Sequence, residues 1–224
     1  MIKNIFLDAG GVILDENKYE EESSRIITQI IQEIKNYSID DYWNDVEEAV
    51  YRFVPTVYNY ILYKNIKNPE KYINAKQEFK NRISINDIFK ITDGLLEFLE
   101  VFSPYYRIGI LGQYGIKFKK YLEMNGILKY FTFSEIQDNY LITKPDTRYY
   151  EAILNNCNCL AGQSIMIGDR IDKDIIPAKM VGMKTIRIRT GIHKTQEPRV
   201  PEENPDITVE KLNEIKIDRI RELR

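Results

Sequence analysis

The chain begins with a short apolar run that ends at a carboxylate and two glycines, Ile5-Phe-Leu-Asp-Ala-Gly-Gly-Val-Ile-Leu-Asp-Glu16. The three apolar residues before Asp8 predict a buried strand, because they form a compact run that stops at a turn signal. In α/β proteins, ligand-binding and reactive groups lie at the carboxyl ends of parallel strands. Gly10 and Gly11 leave the backbone after Asp8 without side chains, so its amides can approach a ligand closely. The stretch therefore predicts a first strand with a functional acid at its end.

Four further apolar runs predict strands of the same kind, and stretches with helical spacing lie between them. These runs are Tyr106–Leu111, Tyr130–Phe133, Ser164–Gly168 and Lys184–Arg189. Pro145 with Asp146 predicts the start of a helix, with the proline in its first turn. Ile207–Val209 predicts a last strand that leads into a closing helix. The alternation of strands and helices favours an α/β fold, in which a parallel sheet carries helices on both faces.

Residues 17–90 interrupt this alternation, because their pattern needs no strand. Their first apolar residues recur at helical spacing, namely Ile26, Ile27, Ile30, Ile31 and Ile34. Ser38 followed by Asp40 and Asp41 indicates the start of another helix, because a serine oxygen can accept from the free amides there. We therefore predict two domains: a core domain made of residues 1–16 and 91–224, and an all-helical domain made of residues 17–90.

The composition excludes several classes of protein. Hydrophobic residues make up 43% and charged residues 29% of the chain, which is the balance of an ordinary globular protein. The net charge of -2 argues against a general nucleic-acid binder, because such proteins need a basic face to neutralise phosphates. No run of about 18 apolar residues is present, so no membrane span is predicted. Since the first residues resemble a strand rather than a basic and apolar leader, we expect a cytoplasmic protein.

Histidine and cysteine chemistry has little support in the sequence. The only histidine, His193, lies near a glycine-rich turn, and we expect it on a solvated loop rather than in a catalytic or metal site. Cys157 and Cys159 are too few and too closely spaced for a zinc site, so they are interpreted as reduced thiols.

A second acidic strand end occurs in Ser164-Ile-Met-Ile-Gly-Asp-Arg-Ile-Asp-Lys-Asp-Ile175. Its three acids, Asp169, Asp172 and Asp174, repel one another unless a cation or basic groups lie among them. If this strand is the parallel neighbour of the first, Asp8 and Asp169 emerge at the same edge of the sheet. Two carboxylates and a backbone carbonyl then form an oxygen site suited to Mg²⁺. For Asp172, capping of the next helix is the favoured interpretation.

Taken in order, these residues resemble the motifs of the haloacid dehalogenase (HAD)-like hydrolase superfamily. That family has a nucleophilic Asp after its first strand, a small polar residue after the second, a lysine before a helix, and a Gly-Asp motif after the fourth strand. The matching positions are Asp8, Gly112-Gln113, Lys144, and Asp169 with Asp174. The likeness covers essentially the whole chain. It implies a Rossmann-like core and identifies residues 17–90 as a helical cap.

The resemblance implies a Mg²⁺-dependent phosphatase that acts on a small phosphorylated metabolite. Asp8 would attack phosphorus to form an aspartyl phosphate, and Lys144 would hold both the attacking carboxylate and the phosphate. The implied metal site combines Asp8, the Gly10 carbonyl and Asp169, with Asp174 anchoring metal-bound water or Lys144. The implied substrate contacts are Gly10, Gly11, Gly112, Gln113 and Arg170.

The sequence departs from this family at two positions. Phosphatases of the family usually carry a second Asp two residues after the nucleophile, where this chain has Gly10. Loss of a general acid typically costs about 10²–10⁴ in rate. The second motif usually offers a hydroxyl to the phosphate, but Gly112 has none. The metal site is therefore predicted to be complete, and the acid-base groups are predicted to be reduced.

Three hypotheses remain open at this point. The first is a slow Mg²⁺-dependent phosphatase in which Asp15, a cap residue or solvent replaces the missing acid. The second is a metal-independent hydrolase of carbon–halogen bonds, because a halide leaves without a proton. The third is a non-catalytic protein that binds a phosphorylated or protein partner. The acids clustered after residue 168 argue against the second hypothesis, since they have no role there without a cation.

Overall fold

The computed structural model describes residues 1–83, 90–112, 116–134 and 142–223. The chain forms two compact units. The first comprises Met1–Asp15, Ile91–Thr190 and Pro198–Arg224, and the second comprises Glu16–Lys90 and Gly191–Glu197. We call the second unit the helical unit. Residues 191–197, which the sequence pattern did not single out, belong to it.

The first unit is built on a parallel sheet. The strands of the described residues are β1 Asn4–Leu7, β2 Leu14–Asp15, β3 Lys90–Ile91, β4 Arg107–Ile110, β5 Ser164–Gly168, β6 Lys184–Ile188 and β7 Ile207–Val209. Five of them form one sheet in the order β4-β1-β5-β6-β7, and β2 pairs separately with β3. Every pairing in the large sheet is parallel. The expected α/β, Rossmann-like architecture is confirmed.

Helices connect the strands in the first unit and make up most of the second. Those of the first unit are α5 Leu95–Phe102, α6 Ile116–Met124, α7 Thr147–Asn156, α8 Ile176–Met180 and α9 Ile217–Glu222. Those of the second unit are α1 Asn17–Gln32, α2 Ile39–Tyr51, α3 Val57–Asn65 and α4 Pro69–Arg82. Within the described ranges, no helix combines the length and apolar character that crossing a membrane requires.

Both faces of the large sheet are buried. Successive residues of a strand point to opposite faces, and Ile5, Phe6 and Leu7 of β1 all have no exposed surface. On one face, Phe6 packs in a cluster with Tyr149 and Tyr150 of α7. Because its strands are covered on two sides, the sheet needs continuous apolar runs, and this is the pattern that the sequence shows.

The helical unit has its own core. The predicted stripe of α1 is buried at Ile26, Ile27, Ile30 and Ile31, where it packs against residues of α2, α3 and α4. The predicted start of α2 is also confirmed. Ser38 accepts from the amide of Asp41, and the Asp41 carboxylate accepts from the amide of Ser38, so each side chain satisfies a free N–H.

Three local predictions are wrong. Tyr130–Phe133 is not a strand, because Leu128–Tyr130 turns as a 3₁₀ helix and only Phe133 bridges to β4, at Gly109. Pro145 precedes α7 instead of lying in its first turn, since the Asp146 side chain caps the helix by accepting from the Arg148 amide. His193 is buried, with 8% of its surface exposed, because its segment packs in the second unit.

A buried carboxyl in the helical unit makes stability depend on pH. Glu20 is 7% exposed and accepts a 2.8 Å hydrogen bond from the Tyr58 hydroxyl. Burial raises the pKa of Glu20 from its ordinary 4.5 to about 8. The Tyr58 hydrogen bond lowers this pKa, whereas the charge of Glu16 raises it further. The folded protein therefore keeps a proton that the unfolded chain loses near pH 4.5.

We expect this carboxyl to destabilise the fold progressively as the pH rises. The contribution of protonated Glu20 to the free energy of unfolding is complete below pH 4.5 and is lost by about pH 8. Over this range the free energy of unfolding should fall by a few kcal/mol. Glu20→Gln should remove this component. Urea unfolding at several pH values between 4.5 and 8 gives the free energy of unfolding of the native protein and of the Glu20→Gln variant. A difference between these two free energies that does not change with pH would contradict the prediction.

Candidate active site

The parallel pairing of β1 with its two neighbours places Asp8 at the carboxyl edge of the sheet. The amide of Asp8 donates to the carbonyl of Ile167 in β5 at 2.8 Å. On the other side, the amide of Leu111 donates to the carbonyl of Leu7 at 2.8 Å. The backbone around Asp8 is thus fixed by both adjacent strands, and β5 is a parallel neighbour of β1.

Two further acids lie beside Asp8. Asp169 follows β5 directly and is 5% exposed, whereas Asp174 is fully buried in the turn Ile171–Ile175. The amide of Arg170 donates to Oδ2 of Asp174 at 3.0 Å and so fixes its carboxylate. One carboxylate oxygen from each of Asp8, Asp169 and Asp174 lies within 4.8 Å of the other two.

Lys144 lies between two of these acids. Its Nζ is 2.5 Å from Oδ1 of Asp8 and 2.6 Å from Oδ1 of Asp174. Burial by itself would lower the pKa of Lys144, but the charges of Asp174 and Asp8 outweigh it and hold that pKa well above its ordinary value. Burial raises the pKa of Asp174 to about 6, against the effect of Lys144. At neutral pH the site therefore contains a charged Lys144 ammonium beside an Asp174 carboxylate that is mostly ionised.

Three glycines make room for this cluster. Gly11 has φ +69°, and a Cβ there would lie 3.0 Å from Cγ of Asp169. A Cβ on Gly112 would lie 3.1 Å from Oδ1 of Asp8. A Cβ on Gly168 would lie 2.3 Å from Cβ of Asp174, which is far inside contact distance. Close approach of side chains to backbone thus requires glycine at these positions.

The remaining predicted residues have different surroundings. The Arg170 guanidinium pairs with the Asp172 carboxylate at 2.6 Å. Asp172 therefore does not cap the following helix, and the capping interpretation is wrong. Gly10 forms a single backbone bridge with Leu14. Gln113, a predicted substrate contact, lies outside the described residues.

One buried residue beside the site was missed. Arg187 of β6 is only 2% exposed, and its Nε donates to the carbonyl of Asp169 at 3.3 Å. The pairing of β5 with β6 places it opposite Gly168. A signal was present, because a strand inside a parallel sheet is covered on both faces, and an arginine there must find polar partners.

The donor set fits a hard divalent cation. All three acids offer oxygen, the element that Mg²⁺ and Ca²⁺ prefer, and two of them are nearly or fully buried. Three carboxylates and one ammonium also leave an excess of negative charge in this part of the structure. A cation bound by Asp8, Asp169 and Asp174 would neutralise that excess.

Comparison with known proteins supports one family. A family model described as HAD-hydrolase-like matches residues 141–215. The glyceraldehyde 3-phosphate phosphatase of Methanopyrus kandleri is 23% identical over 100% of this chain and 99% of its own length. The enzyme of the same name from Methanothermobacter thermautotrophicus is 24% identical over 92% of this chain and 83% of its own length.

Solved structures show the same fold. A predicted phosphoglycolate phosphatase from Haemophilus somnus has a TM-score of 0.69 at 14% identity, covering 94% of this chain and 95% of its own. A Bacillus subtilis protein described as a HAD-hydrolase and bound to magnesium has a TM-score of 0.68 at 18% identity, covering 95% of this chain and 96% of its own. The chain therefore resembles HAD-like hydrolases in its sequence, most specifically over residues 141–215, and it shares their fold.

The close contact at Gly168 can be tested by stability alone. We expect Gly168→Ala to lower the free energy of unfolding by more than about 2 kcal/mol, because its Cβ would overlap Asp174. Gly162→Ala is the matched control, since nothing lies within 4 Å of the added Cβ there. Urea unfolding measures both variants. Equal effects of the two substitutions would show that Gly168 has no special packing role.

Proposed function

We propose that this HAD-like phosphatase hydrolyses a small phosphorylated metabolite with Asp8 as the nucleophile, and that it depends on Mg²⁺. The observation that carries the proposal is the position of Lys144, whose ammonium contacts Asp8 and Asp174 at 2.5 and 2.6 Å. A carboxylate attacks a phosphate monoester only where positive charge offsets the repulsion between the two anions. Lys144 supplies such a charge at the attacking group.

Each residue of the cluster has a definite task in this reaction. An oxygen of Asp8 forms a bond to phosphorus while the ester P–O bond breaks and the alcohol leaves with the bonding electrons. Water then attacks the aspartyl phosphate, which releases inorganic phosphate and restores the carboxylate. Lys144 holds Asp8 in place, and Asp174 in turn holds Lys144. The rigid backbone around Asp8 keeps the nucleophile aligned for attack.

The proposed metal site uses Asp8, Asp169 and the Gly10 carbonyl, with Asp174 close by. A bound Mg²⁺ would neutralise charge on the transferring phosphoryl group. On the protein side, Arg187 holds the Asp169 carbonyl, and the Arg170 amide holds Asp174. The fold therefore fixes the backbone at Asp169 and the carboxylate of Asp174.

Gly10 limits which esters can be cleaved quickly. Its position corresponds to the usual general acid of the family, and glycine cannot protonate a leaving alkoxide. The alcohol must then take its proton from solvent or leave as a stable anion. We therefore propose slow turnover of alkyl phosphates and faster turnover of aryl phosphates.

The substrate class is proposed from the relatives. Two enzymes that align along most or all of this chain are named for glyceraldehyde 3-phosphate. A triose phosphate is accordingly the first natural substrate to test.

The alternative function is that of a phosphate-binding protein without catalysis. It is supported by Gly10 and Gly112, which stand where the family usually has an acid and a hydroxyl. A metal-independent dehalogenase is less well supported, because it gives the converging acids no task.

Turnover of an aryl phosphate tests the nucleophile and the metal together. We expect Mg²⁺ to stimulate hydrolysis of p-nitrophenyl phosphate, and Asp8→Asn to lower kcat by more than about 10³-fold because the amide cannot attack phosphorus. Asp218→Asn is the control, since this exposed acid forms an ion pair with Arg221 of α9 and should leave the rate unchanged.

Two results would contradict the proposal. Equal turnover with and without Mg²⁺ would remove the metal from the reaction. A folded protein that binds beryllium fluoride at Asp8 but hydrolyses neither the aryl ester nor glyceraldehyde 3-phosphate would favour the binding protein.

The role assigned to Gly10 has its own test. We expect Gly10→Asp to raise kcat on glyceraldehyde 3-phosphate by about 10²-fold and on the aryl ester by much less, because only the alkoxide needs a proton. Gly10 does not have a positive φ, so a side chain at this position does not strain the backbone. Gly10→Asn is the matched control and should give no gain. Equal gains on both esters would refute this account of Gly10.

A further inference from the structure

The helical unit contains a pocket of its own. It has a volume of about 530 Å³ and is formed by the first half of α1, the middle of α2, and the segment Gly191–Thr195. All of its lining residues belong to the second unit. A volume of this size is in the range of pockets that bind small organic molecules. Its lining therefore indicates what kind of molecule it can hold.

One side of the pocket is apolar. Trp43, Val46 and Ile192 line it, and Trp43 is 39% exposed although it packs edge-on against Tyr42. The face of an aromatic ring carries partial negative charge, so it attracts the weakly positive C–H groups of a ligand. An exposed indole in a concave site thus favours a ligand with a C–H surface.

Small hydrogen-bonding groups line the pocket beside this apolar side. They are the amide of Asn17 and the hydroxyls of Ser24 and Thr195. The Ser24 hydroxyl donates to the carbonyl of Glu21 at 2.7 Å, so its oxygen is oriented to accept from a ligand hydroxyl. Amide and hydroxyl groups in one pocket suit a ligand with several hydroxyls.

The charges in the lining disfavour an anion. Glu20, Glu21 and Glu47 contribute three carboxyls, whereas Lys194 contributes one ammonium. The pKa of Glu20 is raised to about 8, chiefly by burial, so at neutral pH this carboxyl is mostly protonated and can donate as well as accept. A second phosphate or carboxylate would face net negative charge, while an uncharged ligand would not.

We propose that this pocket binds a small, uncharged, polyhydroxylated molecule, a sugar or a polyol. Its C–H surface packs on Trp43, and its hydroxyls bond to Asn17, Ser24 and Glu20. The site consists only of residues of the helical unit. It does not depend on the chemistry proposed at Asp8, so either proposal can fail without the other.

Trp43 provides a direct readout, because it is the only tryptophan in the chain. The full-length protein is titrated with glycerol, D-ribose and D-glucose while its tryptophan fluorescence is recorded. D-glucuronate and D-glucosamine serve as the anionic and cationic counterparts of glucose, because both keep its pyranose ring. We expect a saturable change with at least one uncharged compound and at least about tenfold weaker binding of glucuronate than of that compound.

A pair of substitutions at Glu20 separates hydrogen bonding from shape. Glu20→Gln keeps a donor and an acceptor and should bind the responding compound within about threefold of the native protein. Glu20→Leu has a similar volume without polar atoms and should weaken binding by about tenfold. Glu33→Gln, at the exposed end of α1, is the control outside the pocket. Far-UV circular dichroism and thermal unfolding show that each variant is folded.

The proposal is overturned by any of three results. One is the absence of a saturable fluorescence change with all three uncharged compounds. Another is binding of glucuronate or glucosamine that is as tight as, or tighter than, binding of the best uncharged compound. The last is unchanged binding by a folded Glu20→Leu variant.

Discussion

Asp8 and Asp169 lie side by side because β1 and β5 are parallel neighbours in register. The pairing of Leu7 with Ile167 fixes where both strands end, and the hydrogen bond from the Asp8 amide to Ile167 extends that register into the site. A slip of one residue would send the side chains to the opposite faces of the sheet. The convergence of the acids, and with it the proposed chemistry, depends on this pairing.

A positive charge lies between two of the acids in this confined place. Lys144 provides it for Asp8 and Asp174, and its own pKa is raised in return. A buried charge without a partner would cost several kcal/mol, so the three groups stabilise one another. Glycines 112 and 168 allow the carboxylates this close to the backbone.

The accuracy of the sequence predictions follows the physical origin of each signal. The strand that precedes Asp8 and the stripe of α1 were predictable, because burial imposes a regular spacing on apolar residues. The cap at Ser38 was predictable because it involves only neighbours in the chain. Tyr130–Phe133 was mispredicted, since its aromatic content resembles a strand but its backbone turns. The apolar character of this segment indicates that it is buried, but it does not distinguish a strand from a turn.

By itself, the sequence determined the parallel α/β core, the helical insertion and the acids at two strand ends, because these depend on local spacing and composition. Only the tertiary structure decided which distant groups meet. It buried Arg187 beside Asp169 and joined residues 191–197 to the helical unit. Such contacts depend on the three-dimensional path of the chain, and no periodicity in the sequence encodes them. Burial then sets the pKa of Glu20, which composition alone cannot reveal.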